Sequence, residues 1–395
     1  MNKKKLLGVT LAMIMAVNLG GCGKKDTTET TTEEVTTEYS ITTEDESKLE
    51  GDLSEVELTR DGKIQSDLNG EWIDKEEAKK RPLSITINNI YVSLPQSGIG
   101  EADVIFEMLE EHRSVTRFLC VFSNYENIER LGPVRSARHY FDRKAMELDA
   151  YFAHWGQSVY AQHEFEVTTN LDQIDLNGKD GGAAFRVSRP GYALEHTGYT
   201  SGPNLVQAIK DNGFSTEKDS SYKKMFNFNP DDTVPENGKD CNKVTTAFNQ
   251  GLEPYFVYDA DAKVYKRFEN GGEQIDELTG AQLTFKNIII QYAPHRYIEG
   301  DESGCLDIQL TGSGEGYYIS DGKVIPIKWE KDASASYVDY TTTDGYIDEG
   351  IRSAAPGEFG TTQYFTEDGQ PLKLNPGKTF VTIFPDDKKD GITLE

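Results

Sequence analysis

Apolar and polar positions follow two rhythms along this chain. From about Arg81 to Gly213, short apolar runs alternate with stretches of helical spacing. LSITINNI (83–90) and TRFLCVFS (116–123) predict buried strands, and ADVIFEML (102–109) fits either a strand or a helix. Residues 135–149 predict an amphipathic helix, with Ala137, Phe141, Ala145 and Leu148 on one face. AYFAHWG (150–156) reads as a strand ending in glycine. SGPNLVQAIKDNG (201–213) has a serine start, an early proline and a glycine stop, which are helix boundary signals. After about Asn227 the runs YFVYDADAKVYKRF, FKNIIIQY, CLDIQLTG, GYYISDGKVIPIKWEK and KTFVTIFP are β-branched and aromatic, divided by Asp-Gly and glycine-rich turns. The fold class expected is α+β. An N-terminal α/β layered domain occupies 71–226 and a mostly antiparallel β-rich domain occupies 227–395.

The first residues carry an address. MNKKK is a basic n-region, LLGVTLAMIMAVNL is an apolar h-region, and Leu19–Cys22 (LGGC) resembles a bacterial lipobox. The apolar run is shorter than the roughly 20 residues that span a bilayer. A signal peptide over 1–21 and lipidation of Cys22 are therefore expected. This places the protein outside the cytoplasm, lipid-anchored to the bacterial cell membrane. Residues 22–70 then form a tether, Thr/Glu-rich at its start and too poor in apolar groups to offset its ordering entropy. Residues 23–60 alone carry twelve acidic and four basic side chains.

The formal charge of the whole chain is −26, which argues against a nucleic-acid partner. Besides Cys22 there are three cysteines. Cys120 sits in an apolar run, and whether Cys241 and Cys305 pair is open. No spacing resembles a metal motif, and no cofactor is expected.

Against this acidic background arginine is concentrated. Nine arginines and two lysines fall between 81 and 200, whereas 201–395 holds only three arginines, Arg267, Arg296 and Arg352. Arginine's planar fork grips carboxylate or phosphate with paired hydrogen bonds, which lysine cannot do. Two pairs share a spacing, RSAR (135–138) and RVSR (186–189). If Gly-Pro-Val-Arg opens a helix, Arg135, Ser136 and Arg138 join free backbone N–H groups in an anion site, completed by Arg186, Arg189 and His196. The competing expectation is internal pairing, such as Arg138 with Asp142. Asp103 and Glu107 share a face four residues apart, and His154 ends a strand. These three are the candidate acid, base or metal-ligating groups, with salt bridges to Arg113, Arg117 or the RSAR arginines as the alternative for the two carboxylates.

RPLSITINN, LPQSGIGEADVIFEMLEE, TRFLCVF, LGPVRSARHYF and AFRVSRPGYALEHTGYTS together resemble the DUF3048 family, the YerB-like lipoproteins. TGAQLTFKNIIIQY, GEGYYISDGKVIPIKWEK and LKLNPGKTFVTIFP resemble its C-terminal domain. The resemblance covers 81–387. It implies architecture and address and carries no established activity. His139 stands where the family commonly has proline, and 342–360 reads as extra material. A fainter likeness in the order of acidic residue, strands, arginine loop and HWG is to the LytR-CpsA-Psr transferases, whose Pro-Arg-Asp signature is absent. Three functional expectations follow. The first is binding of an anionic ligand, such as a cell-wall polymer or precursor, at the arginines. The others are an envelope enzyme of phosphoryl or glycan transfer or hydrolysis, and a protein-interaction scaffold acting through the β-rich half.

Overall fold

A computed structural model describes residues 39–41, 58–169, 171–332, 340, 352–353 and 359–395. The signal segment, Cys22, most of the tether and most of 342–360 lie outside the described residues. The chain divides into a small unit, Met1–Ser66 with Trp72–Ala78, and a large one, Asp67–Glu71 with Lys79–Glu395. In the small unit Leu58–Arg60 pairs antiparallel with Tyr39–Ile41, and Ile64–Gln65 with Trp72–Ile73. Strand pairing thus begins inside the stretch expected to be tether, where Leu58 and Ile64, with Trp72 just beyond it, restore apolar side chains to the pattern.

The large unit is built on one long sheet. Its strands are β1 (Leu83–Asn88), β2 (Val104–Leu109), β3 (Thr116–Phe122), β4 (Tyr151–His154) and β5 (Gln173–Asp175) from the first half of the chain. The second half adds β6 (Lys239–Asp240), β7 (Asn287–Ala293), β8 (Gly312–Ser320), β9 (Lys323–Lys331), β10 (Gln363–Thr366) and β11 (Thr379–Pro385). The order is β5-β4-β1-β3-β2-β11-β7-β8-β9-β6, with β10 also on β9. The segment 102–109 is therefore a strand. The two sequence regions 71–226 and 227–395 meet where β2 pairs in parallel with β11, Val104 opposite Thr379 and Glu107 opposite Thr382. Hydrogen bonding runs through the sheet from one half to the other without a break.

Composition explains which strands are central. β1, β2, β3, β7 and β11 are buried at every position, as strands covered on both faces require. On one face Ile85, Ile105, Phe118, Ile290 and Phe380 pack with Leu205 and Ile209 of helix α3 (Gly202–Asn212). They also pack with Val244, Phe256, Tyr265 and Phe285 of a second, antiparallel sheet. On the other face Phe106, Leu119, Val121, Ile289 and Val381 pack with Tyr140, Phe141 and Ala145 of helix α1 (His139–Glu147). Ala161 of helix α2 (Val159–Val167) joins that cluster. Toward the far edge β9 alternates buried and open positions, so one of its faces meets solvent.

Helix α3 forms as its boundary signals predict. Ser201 Oγ accepts from the Asn204 N–H, Pro203 lies in the first turn, and Gly213 ends the helix at φ 68°. Helix α1 starts later than its apolar spacing suggests, at His139 rather than Arg135, for a reason that bears on the candidate site. Cys120, Cys241 and Cys305 are all buried free thiols, so the 241–305 disulfide left open by the sequence is not formed.

Candidate functional site

The strands β5, β4, β1, β2, β11 and β7 all run in one direction. Their carboxyl ends line a single edge, the place where open α/β sheets hold ligands. The segment 131–138 crosses this edge in extended form. The Arg135 N–H donates to Thr86 O (3.0 Å) on β1, the Ala137 N–H donates to Gly156 O (2.8 Å), and the Trp155 N–H donates to Arg135 O (3.0 Å). Those backbone groups are consumed in bridging β1 to the loop after β4, so the helix-start geometry expected around Val134–Ser136 does not arise. Arg138 becomes the residue capping α1.

The four arginines divide into two kinds. Arg138 is fully engaged inside: Nε donates to Glu111 Oε1 (2.5 Å), Nη2 meets Glu110 Oε2 (3.2 Å), and Nη1 donates to Ala137 O (2.9 Å). Asp142 is not its partner; among the described residues both Asp142 oxygens lack a hydrogen bond, and burial pushes that carboxyl well above the usual range. Arg117 shares Glu110 Oε2 (2.6 Å) and donates to Ser136 O. Arg189 clamps a loop: it donates to the carbonyls of Ser93 (3.0 Å), Leu94 (3.3 Å) and Pro95 (3.4 Å) and to the Tyr199 hydroxyl (2.8 Å).

Arg135 and Arg186 are different. Arg135 Nη1 meets Glu195 Oε2 (2.9 Å) and the Glu195 carbonyl (3.3 Å), while its Nε–H is unpartnered among the described residues. Arg186 is exposed and donates to Leu194 O (2.6 Å), the carbonyl next door, and to Thr197 Oγ1 (3.2 Å). Its guanidinium lies 4.8 Å from the Trp155 ring centre, a cation–π distance. Ser136 Oγ donates to Trp155 O (3.2 Å) and holds that loop. Two arginine forks and an indole therefore meet around the Leu194–His196 turn. Glu195, with a side chain 57% exposed, is the carboxylate paired there, and the Arg135 hydrogen bond holds it below the usual glutamate range. Five guanidiniums (Arg117, Arg135, Arg138, Arg186, Arg189) face three carboxylates (Glu110, Glu111, Glu195) across this region.

His196 sits behind the turn, its Nδ1 accepting from Asn88 Nδ2 (3.0 Å); burial lowers its pKa. His154 is fully buried, Nδ1 3.0 Å from Gly156 O and Nε2 3.0 Å from Gln173 Oε1, and burial lowers its pKa too. Asp103 is at the opposite, amino end of β2, accepting from Asn69 Nδ2 (2.7 Å) and from the Ser123 N–H (2.6 Å) and hydroxyl (2.8 Å). Glu107 is fully buried against Arg267 (3.0 Å). The two carboxylates thus find partners other than the arginines named for them from sequence, and no contact joins Asp103, Glu107 or His154 to Arg135 or Arg186 among the described residues. Sequence reasoning passed over Trp155, although its place one residue beyond β4 marks it, and Glu195, whose role only the fold reveals.

Comparison with known proteins agrees with this architecture. Residues 68–215 match the family described as "Protein of unknown function (DUF3048) N-terminal domain", and residues 244–349 match its C-terminal domain. The chain belongs to the DUF3048 family. It is 30% identical over 328 residues to "Putative lipoprotein YerB" of Bacillus subtilis (strain 168), a match spanning 82% of this chain and 87% of that protein. The crystal structure of the Bacillus subtilis YerB protein is similar at a TM-score of 0.67 and 27% identity, covering 84% of this chain and all of that one. The α+β class is that of a DUF3048 protein, and the family includes a protein named as a lipoprotein. Among the described residues no helix is long and apolar enough to cross a membrane.

Proposed function

We propose that this chain is a lipid-anchored envelope protein that binds a phosphate- or carboxylate-bearing ligand at Arg135, Arg186 and Trp155. The observation supporting this is the meeting of two incompletely used guanidiniums with an indole at the carboxyl edge of the sheet, where an exposed side-chain carboxylate, Glu195, already occupies one fork. In this reading Glu195 stands in for the ligand's anion. Arg138, Ser136, Arg189 and His196 keep the loops in place. The guanidinium excess fits a polyanion of the cell wall or its precursor.

The test follows from the competition. Titrating pyrophosphate or citrate calorimetrically into the full chain, Arg186→Ala should weaken binding about tenfold or more, as loss of charge-assisted hydrogen bonds of roughly 1.5–3 kcal/mol requires. Glu195→Gln should strengthen it, because the internal competitor loses its charge. A Glu195→Gln protein that binds more weakly than the parent would contradict the reading. For the anchor, Cys22→Ser should move the protein from the membrane to the soluble fraction and abolish labelling by a fatty-acid probe. Retention in the membrane pellet after a high-salt wash would refute a single lipid anchor on Cys22.

A further inference from the structure

A cleft of about 520 Å³ opens between the 3-10 turn after β2 and the residues following β7 and β11, lined by His112, Arg113, Ser114, Asn249, Tyr297 and Lys388. These elements end at the same strand-end edge as the arginine site, but the cleft shares none of that site's residues. Two of its six lining side chains, Arg113 and Lys388, are cationic, a third is the His112 imidazole, and none is acidic, in a chain of charge −26. Arg113 lends Nη1 to Asp387 Oδ2 (2.7 Å) and Nη2 to the His295 carbonyl, while its Nε–H lacks a partner among the described residues. Among the described residues Lys388 makes only a long bond to Phe248 O (3.4 Å). Tyr297 presents its ring to solvent at 52% exposure, with the Arg113 guanidinium 5.6 Å from its centre.

The backbone beneath this cleft is strained. His112 and Arg113 are consecutive non-glycine residues in the left-handed region, at φ 58° and 52°. Such residues are unfavourable, and they persist only where the surroundings over-determine them. Here the constraints are explicit. The His112 N–H donates to Gly304 O (3.0 Å), the Arg113 N–H to Glu110 O (3.0 Å), and Asn249 Nδ2 to the carbonyls of Arg113 (3.0 Å) and Ser114 (3.4 Å). The turn is held in an unfavourable conformation that places an imidazole and a guanidinium in the cleft lining, together with the Lys388 ammonium and the open Tyr297 ring.

We infer that this cleft is a second anion site, taking a phosphate or carboxylate group between Lys388 and the His112–Arg113 turn while the adjoining part of the ligand rests on Tyr297. Lys388 and Tyr297 carry little of the fold, so their removal tests binding without unfolding the chain. Hydrogen–deuterium exchange on the full chain supplies a readout local to the cleft. Pyrophosphate and citrate, used separately, distinguish a phosphate site from a carboxylate one. Whichever is accepted should slow exchange across 110–116 at least threefold. Lys388→Ala should raise the concentration needed about tenfold, and Tyr297→Ala should weaken the effect as well. Arg186→Ala should leave protection of 110–116 unchanged, so failure of the arginine site and failure of the cleft read out separately. If neither anion protects 110–116, or if Lys388→Ala leaves the protection as it was, the cleft is not an anion site.

Discussion

Replacing Arg267 with alanine is expected to lower unfolding stability by about 3–5 kcal/mol, the usual cost of removing one partner from a buried ion pair. Arg267 has no exposed surface. Its Nη2 meets Glu107 Oε1 (3.0 Å) and Glu269 Oε2 (3.3 Å), its Nε donates to Gln274 Oε1 (2.5 Å), and its guanidinium lies 4.4 Å from the ring centre of Phe380. Asn89 Nδ2 donates to Glu269 Oε1 (3.1 Å) and Thr116 Oγ1 (2.9 Å), and Gln274 Nε2 donates to Asn89 Oδ1 (3.0 Å). This network ties the first half of the chain to the second beneath the apolar rings of the sheet. Alanine would leave two carboxyls buried with no cation. The double variant Arg267→Met with Glu107→Gln removes charge from both sides and should recover most of the loss. Urea midpoints decide it: a single alanine variant as stable as the parent would show that the network contributes nothing.

One guanidinium between two carboxyls also sets a pH dependence. Burial, reinforced by Glu107, pushes Glu269 up to about 7 against the pull of Arg267. The folded state then holds a proton that the unfolded chain releases near 4.5. The associated stability is complete below that ordinary value and declines as pH rises through about 7. Glu269→Gln should flatten the urea midpoint over this window.

Strand identity was readable in the sequence wherever an apolar run is continuous, as in LSITIN, TRFLCVF and TFVTIFP, because the buried strands need no alternation. ADVIFEML stayed ambiguous since a short buried run fits either element, and parallel pairing with β11, some 270 residues on, decides the matter. The start of α1 was misplaced because 135–138 has helix-compatible spacing, yet its backbone hydrogen bonds go to Thr86 and Gly156, contacts that no local pattern encodes. The arginine bias did point to the strand-end edge. It could not say that Arg138 and Arg189 are occupied by Glu110, Glu111 and a row of loop carbonyls, while Arg135 and Arg186 retain donors. Charged residues on α1 were the least legible. HYFDRKAME looks like a helix with a solvated side, but all nine residues are buried, because Asp307, Lys331 and Thr362 arrive from far along the chain to cover that side.

That cover leads to the second large effect. Glu147 Oε1 meets Lys144 Nζ (3.0 Å) and Lys331 Nζ (3.1 Å), and its Oε2 accepts from the Thr362 N–H (2.9 Å) and hydroxyl (2.7 Å). All three charged side chains have no exposed surface. Burial alone would raise Glu147, but the two ammoniums and Thr362 outweigh it and hold the carboxyl at about 2. Burial brings Lys331 down to about 7 despite Glu147. Glu147→Gln would strand the Lys144 ammonium beside a neutral amide and drive Lys331 further toward its neutral form, and should cost about 3–5 kcal/mol. Lys331→Met removes the cation that is hardest to keep charged and leaves the Lys144–Glu147 pair balanced, so it should be tolerated far better. The signs of the pH effects differ. Glu147, lowered, gives stability that is complete above about 4.5 and lost as pH falls through about 2. Lys331, also lowered, is neutral in the fold before it is neutral in the unfolded chain, so stability should climb as pH rises from about 7 toward 10.5. Lys331→Met should abolish that alkaline rise, and Glu147→Gln should abolish the acid decline belonging to this carboxyl. Urea midpoints across pH for the three proteins test both, and a Glu147→Gln protein no less stable than Lys331→Met at neutral pH would overturn the assignment of Glu147 as the anion balancing this buried cluster.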